Sequence, residues 1–186
     1  MYLGFWRHNA RKPAPLQGVS EKCASEVSNS GIPQNVQLIA GRWPRVALTD
    51  SFDCIVVYSV MHYLESQEDA FQFVVKCLSC LNQNGRLLIA DIPNADMAKR
   101  LRSSELGENV TNEYKALKMS HQSAETVTQA SIFSAAEQPS PFLDDKFVLA
   151  LLGDMRMRGY DAFVVPQPRE LPFSYSREDI LIWKRQ

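Results

Sequence analysis

His62 and Tyr63 follow a nearly continuous apolar run, Phe52–Val60. A histidine in such a loop can take a proton from a hydroxyl or an amine as that group reacts. It can equally be a hydrogen-bonded loop residue. Asp91, Pro93 and Asn94 close a second apolar run, Arg86–Ile92. A carboxylate there can face a reactant or cap the next helix, and Asn94 reads as the cap. Cys77 and Cys80 form a CxxC pair, but no second pair and no nearby histidine completes a zinc site. Cys77 also falls on an apolar helical stripe, so the pair reads as structural. His8, His121, the basic group Lys99, Arg100 and Arg102, and Met155 with Met157 carry no pattern beyond solvated or packing positions. The eight glycines never come closer than six positions. No GxG exists, so neither a GxGxxG nor a GxxxxGK[ST] phosphate loop is present.

The elements that position these residues belong to a chain of 186 residues, the size of one domain. Apolar residues make up 45% and charged residues 22%, enough to build a core without a metal or disulfide staple. Twenty basic against twenty-one acidic residues give a net charge of −1, which argues against electrostatic capture of nucleic acid. No apolar run approaches the roughly 18 residues of a membrane span, and the N-terminus lacks a signal-peptide stretch. Four clustered cysteines point to a reducing, cytoplasmic location.

Residues 1–35 are weakly patterned, with Pro13, Pro15 and Pro33 against any long element and a short helix expected over 20–27. Val36–Ala40 reads as a strand closed by Gly41 and Pro44. Phe52–Val60 suits a strand covered on both faces. Ser66 caps a helix whose stripe is Ala70, Phe73, Val74, Cys77, Leu78 and Leu81, ended by Asn82, Asn84 and Gly85. Arg86–Ile92 is the next strand, giving a right-handed βαβ unit. Helices are expected over 96–106 and 112–119. Residues 121–141, rich in Ser, Thr, Ala and Gln, read as a mobile insertion. Asp144 or Asp145 caps a last helix with Gly159 at its C-terminal turn. Strands over 160–165 and 180–183 then pair antiparallel.

Three ordered stretches resemble the class I S-adenosylmethionine-dependent methyltransferases. They are Ile39–Pro44, Phe52–Leu64 (FDCIVVYSVMHYL, similar to a fourth strand and its loop) and Leu81–Asp91 (LNQNGRLLIAD, similar to a fifth strand). The closing helix, strand, turn and reversed strand fit the same family, and the likeness covers about residues 36–186. The family's first strand ends in a glycine-rich loop that lets the backbone approach the methionine part of the cofactor. This sequence has no such loop, so it reads as a relative truncated by its N-terminal third.

The resemblance implies an α/β fold, a Rossmann-like, mainly parallel sheet with a reversed C-terminal strand and with N-terminal strands missing or degenerate. The intact order would be 3-2-1-4-5-7-6. Without strands 1 and 2, the third strand would pair with the fourth or lie loose, and the fourth would keep an open edge suited to self-association. The expected division is an irregular segment, 1–35, and a partial α/β domain, 36–186, with a mobile insertion near 120–141. The resemblance further implies S-adenosylmethionine as cofactor and a small-molecule acceptor, with no nucleic acid or membrane partner. Gly41, Arg42 and Trp43 would lie at the ligand edge, with Trp43 stacking on adenine or covering the sheet edge. Tyr58 and Ser59 would lie under the sulfonium, and His62 would serve as base. Methyl transfer is one reading. A non-catalytic truncated relative acting as an interaction module is the other. A nicotinamide oxidoreductase is weaker, because it too needs the glycine loop.

Overall fold

A computed structural model describes residues 2–6, 14–17, 36–39, 43, 51–109, 112, 141–169, 171 and 173–185. Seven strands form one sheet: β1 (Tyr2–Trp6), β2 (Ala14–Gln17), β3 (Val36–Ile39), β4 (Phe52–Tyr58), β5 (Leu81–Pro93), β6 (Asp161–Pro166) and β7 (Arg177–Trp183). Their spatial order is β3-β2-β1-β4-β5-β7-β6. β4 with β5 and β2 with β3 pair in parallel, and the other four ladders are antiparallel. Five strands therefore run one way, and β1 and β7 run against them.

The N-terminal region departs from expectation. Residues 1–35 supply two strands of the sheet, and β3 pairs with β2 rather than with β4. The supposed open edge of β4 is covered by β1, in register from Tyr2↔Tyr58 to Trp6↔Cys54. The edge-driven self-association expected at β4 thus loses its surface. The prolines misled because Pro15 lies at the start of β2, before its ladder with β1 begins at Leu16. A missing N–H is tolerated where a strand is paired on one side only. The helix expected over 20–27, most of that over 112–119 and the insertion near 120–141 lie outside the described residues.

Three helices fall where the sequence places them, although the one expected over 96–106 stops at Arg102. α1 (Gln67–Ser79) starts at Ser66, whose hydroxyl accepts the Asp69 N–H at 3.1 Å. It ends sooner than the apolar stripe suggests: Leu81 already belongs to β5, and Asn84, at φ 60°, turns the chain before Gly85. A Cβ on Gly85 would meet the Asn82 carbonyl oxygen at 2.8 Å, so the turn needs glycine. α2 (Ala95–Arg102) is capped by Asn94, which accepts from the N–H groups of Asp96 and Met97. α3 (Asp145–Met157) is capped by Asp144 on Phe147 N–H at 2.8 Å, and Gly159 follows at φ 86°.

The core lies between one sheet face and helices α1 and α3. Strand register aligns Ile55, Leu87, Ile182 and Ala162 in one row and Val57, Ile89 and Ile180 in the next, all nearly inaccessible. Phe73, Val74, Cys77 and Leu78 of α1 and Phe147, Leu151 and Met155 of α3 complete it. Burying side chains of this size contributes roughly 1.5–3 kcal/mol each. On the opposite face the same register aligns Val56, Leu88, Leu181 and Phe163, which are half-buried to exposed. Coverage of β4 on both faces is therefore uneven.

Candidate functional site at the strand ends

The carboxyl ends of β4 and β5 meet the amino end of the reversed β7. Crevices at such edges hold ligands in open α/β sheets. Three non-glycine residues here have positive φ: Ser59 at 54°, Asp91 at 62° and Phe173 at 66°. Such conformations cost about 1–3 kcal/mol each and persist only where surrounding contacts fix them.

Those contacts converge on Asp91, which is 6% exposed. The Ser59 hydroxyl donates to Asp91 Oδ2, and Arg177 Nη1 reaches the same oxygen at 2.5 Å. The Arg177 guanidinium, itself buried, lies 4.7 Å from the Phe173 ring centroid. β5 shifts register against β7 between Ile89 and Ile92, so the Asp91 N–H leaves the ladder. It donates instead to Asp179 Oδ1 at 2.9 Å, and Gln167 Nε2 donates to that oxygen at 2.8 Å. A bulge of this kind re-aims a side chain next to a site.

Tyr58 stands at the mouth of this cluster, 42% exposed. Burial, then the Asp91 carboxylate, raise its phenol above the ordinary range, while Arg177 opposes them. His62 lies on a single 3-10 turn, Met61–Tyr63, with its ring 4.0 Å from that of Tyr63. Burial and the Arg177 charge lower its imidazole pKa, and Asp91 offsets part of this. The side chain is thus biased toward its neutral form, which can accept a proton.

The structure brings together Tyr58, Ser59 and Asp91, with His62 within electrostatic reach. Gly41 and Arg42 lie outside the described residues. Trp43 is 6% exposed and belongs to the core, its indole against the Cys77 thiol of α1. A side chain packed this way offers little ring face to an adenine, and Trp43 is left out of the site proposed below. Cys77 is buried, with its thiol pKa raised, as its place on the stripe implies. Asn94 is a cap, as its position suggests.

Arg177, Asp179, Gln167 and Phe173 escape the sequence reading. The last strand was expected to begin at Ile180, which left Arg177-Glu178-Asp179 in a connection. Three charged residues directly before ILIW were the available signal. Among the described residues no group of histidine, cysteine and carboxylate side chains could hold a metal ion. No described helix is long and apolar enough to cross a membrane.

No protein-family model and no curated protein matches the sequence. Solved structures do match. The plantazolicin methyltransferase BpumL, in complex with S-adenosylhomocysteine, superposes with a TM-score of 0.59 at 12% identity, over 91% of this chain and 65% of that one. The N-methyltransferase NodS from Bradyrhizobium japonicum WM9, also with S-adenosylhomocysteine, gives 0.53 at 13% identity, over 92% and 66%. A candidate O-methyltransferase from Nostoc punctiforme PCC 73102 gives 0.53 at 13%, over 90% and 44%. The chain thus spans between 44% and 66% of the length of these proteins. With its strand order, its reversed β7 and these superpositions, the chain has the fold of the class I S-adenosylmethionine-dependent methyltransferases.

Proposed function

We propose that the chain transfers a methyl group from S-adenosylmethionine to a small-molecule acceptor, using the crevice at the ends of β4 and β5. The observation that carries this reading is the Ser59–Asp91–Arg177 cluster at the ligand edge of this fold, with Ser59 and Asp91 in left-handed backbone. NodS and BpumL were solved with S-adenosylhomocysteine, which supports the same cofactor here. The residues fit the cofactor in part. Asp91 and Asp179 set two carboxylates against the single guanidinium of Arg177, a balance that suits one cation, either the sulfonium or a protonated acceptor. The glycine cradle has no counterpart in the sequence, since β1 carries only Gly4.

Bound there, S-adenosylmethionine would supply an electrophilic methyl group to an acceptor oxygen or nitrogen and be left as the neutral thioether. Tyr58 and Ser59, at the end of β4, would hold the cofactor, and Ser59 is fixed by Asp91. Neutral His62 accepts the proton that the acceptor releases. Positioning supplies most of the rate. Gly41 and Arg42 are retained as cofactor-edge residues on the resemblance alone. The cysteine pattern supports a cytoplasmic location, and the charge balance supports no nucleic-acid partner.

One observation favours the second reading, a catalytically silent relative acting as an interaction module: the missing GxG. Calorimetric titration of the folded chain with S-adenosylhomocysteine separates the two. Saturable micromolar binding, weakened about tenfold by Tyr58→Ala, is expected. No heat up to millimolar ligand overturns the methyltransferase reading and leaves the silent relative.

A further inference from the structure

Gln167 follows β6 and is 6% exposed. Its amide has only one possible orientation. A carboxylate oxygen accepts and cannot donate, so the nitrogen must face Asp179 Oδ1, as the 2.8 Å contact shows. Among the described residues, the amide oxygen, Oε1, is then buried with no donor to accept from. An orphaned buried carbonyl of this kind costs about 1–3 kcal/mol, and native proteins rarely leave one.

Its surroundings are equally rich in acceptors. The recorded donors to Asp91 go to Oδ2, and those to Asp179 go to Oδ1. Among the described residues, Arg177 pairs with Asp91, and no cation is bonded to Asp179. Glu178, the neighbour of both Arg177 and Asp179, accepts from Asn94 Nδ2 at 2.6 Å. Asp91, Asp179 and Gln167 thus hold more acceptors than donors and carry a net negative charge, close to the exposed Tyr58. An anionic ligand head group would meet carboxylates there. A neutral hydroxyl would bring one donor. A protonated amine brings several donors and the compensating charge.

We infer that Asp91, Asp179 and the orphaned Gln167 carbonyl form a subsite for a cationic, hydrogen-bond-donating head group, and that the methyl acceptor is an amine. The second half rests on the methyl-transfer reading above, in which the ammonium first gives a proton to His62 and so frees the nitrogen lone pair that attacks the methyl group. The subsite itself does not.

The test uses three probes that share one ring and differ in head group: 2-phenylethylamine, 2-phenylethanol and phenylacetate. Each is titrated at neutral pH into the full chain, followed by chemical-shift perturbation, with and without saturating S-adenosylhomocysteine. The amine is expected to bind at least tenfold tighter than the alcohol, and the acid not at all. Gln167→Leu should weaken the amine about tenfold or more. Asp179→Asn should weaken it as well. Because Asp179 also anchors β5, Gln167→Leu decides if that variant fails to fold. Equal binding of amine and acid, or amine binding indifferent to Gln167→Leu, overturns the inference while the cofactor titration stands. If S-adenosylhomocysteine does not bind, the methyltransferase reading falls, and the probe titrations without it still decide the subsite.

Discussion

Asp91 and Asp179 lie 88 positions apart, yet the backbone N–H of the first donates to the side chain of the second at 2.9 Å. Two carboxylates are thereby held at one edge of the sheet, and Arg177 is the counter-charge. Replacing Arg177 with Met should leave Asp91 buried without its cation and cost about 3–5 kcal/mol. The double change Asp91→Asn with Arg177→Met should recover much of that loss. Urea unfolding of the two single variants, Arg177→Met and Asp91→Asn, and of the double variant measures both values, and simple additivity would show that the pair is not coupled.

Ser59 combines a hydroxyl that holds Asp91 with a φ of 54°. Ser59→Ala keeps the unfavourable backbone and loses the hydrogen bond, whereas Ser59→Gly loses only the bond. The glycine variant should therefore be the more stable of the two by about 1 kcal/mol. Denaturant midpoints at constant slope test the difference, and a more stable alanine variant would contradict the backbone argument.

The lowered pKa of His62 has a sign in the pH dependence of stability. The unfolded chain binds the proton with a pKa near 6.5, and the folded chain binds it less readily. Between the folded value and about 6.5 the unfolded state holds more protons, so stability rises with pH across that window. Below it the contribution is lost. His62→Asn should flatten the rise, as thermal melts between about pH 5 and 7.5 would show. An unchanged slope would place the titration elsewhere.

Helix capping gives a control away from the site. Ser66→Ala removes the acceptor of the Asp69 N–H at the start of α1 and should cost about 1 kcal/mol. Ligand affinity should not change.

Much of this architecture was legible in the sequence, and the reason is local. The stripe Ala70–Leu78, the caps Ser66, Asn94 and Asp144, and Gly159 each carry their own signal within a few residues. β4 and β7 show as apolar runs because their cores are buried against α1 and α3. The end of α1 was misjudged because Leu81 continues the helical stripe while pairing with Phe52 as a strand residue. Periodicity cannot separate those two roles at a single position. β1 and β2 were invisible because four or five residues carry too few repeats to show a period. The site was half legible. Tyr58, Ser59 and His62 sit in one stretch of text, but Arg177, Asp179 and Gln167 reach Asp91 only through the antiparallel return of β7. Such partners are set by topology, which spacing does not encode.

The reversed β1 has a consequence for how the molecule opens. Among the described residues, β2 and β3 join the rest of the sheet only through β1, whose single ladder to β4 is five residues long. The three N-terminal strands therefore hang in series on one seam, while β4 to β7 share the helical core. Opening that seam would release all three together and leave the other four strands paired. Amide exchange in β1, β2 and β3 should report one common, lower protection, separate from the slow exchange of β5 and β7.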